Sequence, residues 1–65
     1  MMQVGKRVRQ LRLARGLKQE GMCRFGFEYN YYQRIEYDQK NISIKTLNKL
    51  AKAFAVPVAE LFRFD

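Results

Sequence analysis

No histidine occurs in these 65 residues, and there is only one cysteine, Cys23, and one proline, Pro57. A single thiol without histidine builds no zinc site, and without a second cysteine it closes no intramolecular disulfide, so the chemistry suits the cytosol. The same shortage leaves no nucleophile paired to a base, which argues against acid-base or covalent catalysis and implies neither an enzyme nor a metal or other cofactor. Acidic residues are also few. Six stand against thirteen Lys and Arg, giving a formal net charge of +7 and a pI near 10.0, so a polyanion is the natural partner. No apolar run is long enough to span a bilayer, and the opening MMQVGKRVRQ lacks the apolar core of a signal peptide. A cytoplasmic protein with no membrane partner is expected. Nothing alternates as a strand would, and no repeat, linker or low-complexity tract interrupts the chain.

What is present fits one small all-α domain covering residues 1–65. With 48% hydrophobic residues the chain can fill a small core, although a domain of this size should hold only about 3 to 5 kcal/mol of stability. Val4, Val8, Leu11 and Leu17 recur at helical spacing and predict a first helix from Gln3 to Arg15, stopped by Gly16. A second helix is expected from Lys18 to Phe25, with Met22, Cys23 and Phe25 turned inward. Gly21 sits within it and Glu20 near its positive end. On that inward face the lone thiol of Cys23 would behave as a small hydrophobe.

The third helix, Glu28 to Tyr37, buries Tyr32, Ile35 and part of Tyr31, leaving Tyr29, Asn30, Gln33, Arg34 and Tyr37 as an outward stripe. Ser43 caps a fourth helix whose apolar face is Ile44, Leu47, Leu50, Ala51 and Phe54, with Lys45, Lys49 and Lys52 toward water. Pro57 suits the first turn of a short fifth helix ending near Phe62.

The stretch LKQEGMCRFGFEYNYYQRIE, Leu17 to Glu36, places two helical patterns around a Gly-Phe turn. Leu17, Gln19, Gly26, Tyr31, Arg34, Ile35 and Glu36 fit the pattern of the phage-repressor and Cro-like (XRE-type) helix-turn-helix regulators. The chain resembles that family over nearly its whole length. The resemblance implies a five-helix lambda-repressor-like fold whose second and third helices form the helix-turn-helix, and sequence-specific binding of double-stranded DNA as a repressor or activator. Restriction-modification controllers, antitoxins and phage-type repressors are its subtypes. By the same resemblance Tyr29, Asn30, Gln33 and Arg34 read base edges, where Asn and Gln can pair with adenine, Arg with guanine and a Tyr ring can meet a thymine methyl. Gln19, Tyr31, Lys40, Asn41 and Ser43 fall where the family touches backbone phosphates, contacts that position without reading sequence. Arg12 and Glu36 match the family's internal ion pair. The helix-one cluster Lys6, Arg7, Arg9 and Arg15 supplies long-range attraction.

A single recognition helix covers too few base pairs to mark a site in a genome, so a homodimer on a near-palindrome is expected. Val58, Phe62 and Phe64 are the candidate interface, with Leu61 closing the monomer core. No small-molecule effector is expected in so small a core. A protein-interaction module of the same fold, as in bridging cofactors, is the alternative reading; Tyr29, Tyr37, Phe62 and Phe64 would serve it.

In two places the chain departs from the family pattern. Between Met22 and Gly26 it is one residue shorter than the commonest spacing, so the second helix or its turn must tighten, and Phe25 and Phe27 fill the space. Asp38 and Ala55 stand where glycine is usual; Asp tolerates the left-handed conformation, whereas Ala costs about 1 kcal/mol there or changes the turn.

Overall fold

In the computed structural model, which describes residues 4–37 and 42–63, three α-helices and two 3-10 helices wrap one core, and no strand occurs among the described residues. The first α-helix, α1, spans Val4–Ala14. Its Val4, Val8 and Leu11 fall on one stripe and are buried. It stops at Gly16, whose positive φ of 66° lets its amide reach the Leu13 carbonyl at 2.9 Å and the Leu17 amide reach Arg12 at 3.2 Å. That is the left-handed stop the sequence calls for.

The second element is where α-helical expectation fails. Gln19–Phe25 is a 3-10 helix of seven residues, long for its type. Its geometry answers the one-residue shortfall, because seven residues rising about 2.0 Å each reach about 14 Å, whereas eight α-helical residues reach about 12 Å. The tighter winding also corrects the predicted inward face. With three residues per turn, Gln19, Met22 and Phe25 stack in one row, and Cys23 is rotated off it. Met22 is fully buried, Cys23 is exposed and Phe25 is 36% exposed at the end of the row. Phe27, just past the turn, fills the core instead and meets the Tyr32 ring edge to face at 5.7 Å.

The second α-helix, α2, spans Tyr29–Tyr37, one residue shorter at its start than predicted. Glu28 stands outside it as a cap: its carboxylate accepts from the Asn30 and Tyr31 amides at 3.1 and 2.9 Å, satisfying donors that a helix start leaves open. The third, α3, spans Ile44–Phe54, and the Ser43 hydroxyl accepts from the Thr46 amide at 3.1 Å, the predicted cap. Ile44, expected in the core, is 77% exposed. As the first residue of α3 its side chain leans toward the helix start and past the edge of the core, while Leu50, Ala51 and Phe54 are buried.

At its other end α3 repeats the stop of α1 without a glycine. Ala55 takes φ 56°, its amide reaches Lys52 at 3.1 Å and the Val56 amide reaches Ala51 at 3.0 Å. The second 3-10 helix is Val58–Phe62, with Pro57 just before it rather than inside its first turn. Leu61 is fully buried and Val58 partly so, both against the same core.

Candidate nucleic-acid interface

The position of α2 is set from beneath. Tyr32, Ile35 and Glu36 are buried, and the last of these is ionic: Arg12 Nε and Nη2 donate to the two Glu36 carboxylate oxygens at 2.8 and 3.3 Å. A third Arg12 nitrogen reaches the Leu17 carbonyl at 2.8 Å, so the guanidinium joins α1, the chain after it and α2. Burial pushes the Glu36 carboxyl up, but hydrogen bonds and charge from Arg12, with a further hydrogen bond from Gln19, hold it below its ordinary value. The hydrogen bond to Glu36 correspondingly raises Arg12. The Tyr32 hydroxyl is buried without a hydrogen-bond partner among the described residues, and burial pushes its ionisation far upward.

Gly26 makes the turn into α2, with φ 91°. Its carbonyl accepts from Lys49 Nζ at 2.6 Å, and the same ammonium lies 4.7 Å from the centre of the Phe27 ring. A Cβ on Gly26 would come within 3.1 Å of Lys49 Cε. Lys49 is therefore a tie between α3 and the turn, not only the solvated lysine its helical phase suggests. Lys45, Asn48 and Lys52 line a shallow basic cleft beside it.

Above this frame lies the outward face of α2. Tyr29 is 38% exposed, Asn30 and Arg34 are exposed, and Gln33 is half-buried. The four predicted base-reading residues thus share one helix and one side of it. Tyr31, the predicted phosphate contact, is 43% exposed, and its hydroxyl lies 2.9 Å from Thr46 Oγ1, to which the Ser43 hydroxyl donates at 3.1 Å. Thr46, absent from the predicted set, thereby joins two residues that belong to it. Ser43 two positions before Lys45, followed by a hydroxyl three residues on, was the available signal.

Gln19 opens the first 3-10 helix, one residue after the predicted start at Lys18, and its side chain turns inward. Its amide nitrogen donates to Glu36 at 3.0 Å and its carbonyl oxygen accepts from Gln33 at 3.3 Å. Lys40 and Asn41, also predicted on phosphates, lie outside the described residues, as does Phe64 of the predicted dimer interface.

The helix-one basic cluster divides. Lys6 and Arg9 are exposed, whereas Arg7 bonds the Glu60 carbonyl at 2.8 Å and its carboxylate at 3.0 Å, and Arg15 donates to the Phe54 carbonyl and lies over its ring. Two of the four charges expected to act at long range are thus drawn into internal ties, Arg7 from α1 to the last 3-10 helix and Arg15 from the turn after α1 to the end of α3. Among the described residues no group of metal-ligating side chains is assembled, and no helix is long and apolar enough to cross a membrane.

Comparison with known proteins agrees with this arrangement. The helix-turn-helix family model matches residues 8–61. An uncharacterized transcriptional regulator in the ATPase CF(0) region of Rhodospirillum rubrum is 42% identical over 60 residues, which cover 91% of this chain and 56% of the relative. The chain therefore spans about half the length of that protein. The crystal structure of the restriction-modification controller protein C.AhdI from Aeromonas hydrophila superimposes with a TM-score of 0.85 at 37% identity, covering 94% of each chain.

Proposed function

The chain belongs to the helix-turn-helix family, and we propose that it is a sequence-specific DNA-binding transcriptional regulator that lays α2 in the major groove. The observation that carries this reading is the outward face of α2. Tyr29, Asn30, Gln33 and Arg34 stand together on a helix whose opposite side is locked by Tyr32, Ile35 and the Arg12–Glu36 pair. Rigid support beneath exposed donors and acceptors is what reading of base edges requires. Tyr31 and Ser43, with Thr46 between them, take backbone phosphates on one flank, and Lys40 and Asn41 complete the set by sequence pattern.

Likeness over 94% of both chains to a restriction-modification controller favours that subtype over an antitoxin or a phage-type repressor. The protein acts in the cytoplasm, as a homodimer on a near-palindromic operator and without a small-molecule effector.

The test separates the two kinds of contact. On an operator selected from random duplexes, Asn30→Ala and Arg34→Ala each lose about 1 to 3 kcal/mol and lose almost nothing on a scrambled duplex. Tyr31→Phe weakens both duplexes alike. Fluorescence anisotropy across a salt series measures all three. Equal losses on both duplexes for Asn30 and Arg34 would remove α2 from the readout, and a wild type that prefers no duplex would favour the protein-interaction reading.

A further inference from the structure

Five side chains form one hydrogen-bonded line from the buried ion pair to the surface of α2. Arg12 donates to Glu36, Gln19 Nε2 donates to Glu36 Oε1 at 3.0 Å, Gln33 Nε2 donates to Gln19 Oε1 at 3.3 Å, and the same Gln33 nitrogen donates to the Tyr29 hydroxyl oxygen at 3.1 Å. A glutamine amide can be turned end for end, exchanging donor for acceptor, so each link needs a reason for its direction. The carboxylate supplies it. An ionised Glu36 only accepts, so Gln19 must present its NH2 inward and its carbonyl outward. Turned the other way, the Gln19 carbonyl oxygen would face a carboxylate oxygen at hydrogen-bond distance with no proton between them. The outward Gln19 carbonyl then demands the Gln33 NH2, and the second hydrogen of that group goes to Tyr29.

From this line we infer that the buried Arg12–Glu36 pair fixes the hydrogen-bond polarity of the DNA-reading surface, leaving Gln33 acceptor-only and the Tyr29 hydroxyl a donor. The inference rests on the proposed DNA binding and deepens it. Both Gln33 amide hydrogens are committed inside the protein, so what remains for a base is its carbonyl oxygen. The bidentate adenine pairing open to an unconstrained glutamine needs a donor and an acceptor together, and the donor is spent. Gln33 therefore selects a base that offers an amino hydrogen in the major groove, adenine N6 or cytosine N4, and rejects guanine and thymine, whose O6 and O4 would face its oxygen. Tyr29, accepting from Gln33, has its own hydrogen left to donate to a keto oxygen, a purine N7 or a phosphate. Gln19 and Glu36 are positioning residues, acting on the base only through Gln33.

Two measurements test this on the full chain. In side-chain amide NMR of the free protein, both Gln33 NH2 protons should exchange with water several-fold more slowly than those of the exposed Gln10, and Gln19→Met should remove that protection. Gln33 protons exchanging as fast as those of Gln10 would overturn the line of bonds. Selection from a pool of randomised duplexes then reads the base. The position lost in Gln33→Ala should favour adenine and cytosine about equally, by about tenfold over guanine and thymine.

Gln19→Met frees the Gln33 amide to turn, and the preference should narrow to adenine even though overall affinity falls. A keto-base preference in the wild type, or an unchanged profile in Gln19→Met, would overturn the polarity. If no sequence is enriched by the wild type, the DNA-binding reading fails and the base preference with it, while the amide spectra still decide the line of bonds.

Discussion

Removing either partner of the Arg12–Glu36 pair leaves a charge whose side chain is 7% or 3% exposed. Arg12→Ala or Glu36→Ala should destabilise the fold by about 3 to 5 kcal/mol, most of what a domain this small holds. Urea titration measures the loss, and a variant within about 0.5 kcal/mol of wild type would mean that the pair is not buried in solution. The pair also sets an acid limit. Because Glu36 is held below its ordinary value of 4.5 in the folded chain, its contribution is fully present above that value and disappears as pH falls through the lower folded value. Melting temperature should be flat from neutrality down to about pH 5 and then fall, and Glu36→Gln, already destabilised at neutral pH, should show a shallower acid fall.

Ala55 gives the opposite kind of residue. It keeps a left-handed φ of 56° that glycine would take without strain, so Ala55→Gly should stabilise by about 0.5 to 1 kcal/mol. A lower melting temperature in that variant would refute it. Both residues were legible in the sequence, one as a member of a family pair and the other as a glycine position filled by alanine. Lys49 was not: its partner, Gly26, is 23 residues away, and a lysine at a polar helical phase reads as solvated.

Among the elements, the α-helices announced themselves because apolar residues return every three or four positions, and α1, α2 and α3 begin and end within a residue or so of where their caps and stops fall. The two 3-10 helices were legible as helical segments, from Lys18 to Phe25 and from Pro57 to Phe62, but their winding was not, since the same residue types serve both windings. What the sequence did contain was the missing residue before Gly26, a demand for a change of rise whose solution depends on where α1 and α2 are held. The burial of Met22 follows from that solution, and so do the exposure of Cys23 and Phe25 and the inward turn of Gln19, which brings it to Glu36 and Gln33. Gly21 lies in the same element without a positive φ, and a Cβ there would meet Leu17 Cδ2 at 3.5 Å, an ordinary contact. Gly21→Ala should therefore stabilise by about 0.4 to 1 kcal/mol by restricting the unfolded chain. Thermal melts check it, and destabilisation would mean that the 3-10 segment needs the freedom of glycine.

At the scale of the whole molecule the unresolved demand is site size. On the proposed DNA binding, one α2 would touch only a few base pairs, and a genome offers far too many chance matches to so short a site, so that reading calls for two copies acting together. A twofold axis would place the second α2 about one helical turn, roughly 34 Å, along the same side of the duplex. The surface that can meet across that axis is narrower than apolar composition suggests. Leu61 is spent on the chain's own core and Val58 is partly so, whereas Phe62, 39% exposed at the end of the last 3-10 helix, still presents a ring to solvent. Burying a ring of that kind against its twin removes apolar area from water at about 25 cal/mol per Å² before the entropy of association is charged against it, so a modest, concentration-dependent dimer is the expected form. Phe62→Ser should then weaken self-association in sedimentation and abolish cooperative filling of a two-half-site duplex, with the melting temperature of the monomer changed far less than by Leu61→Ser. A wild type that binds a single half-site one to one, with no cooperative second binding, would overturn the dimer.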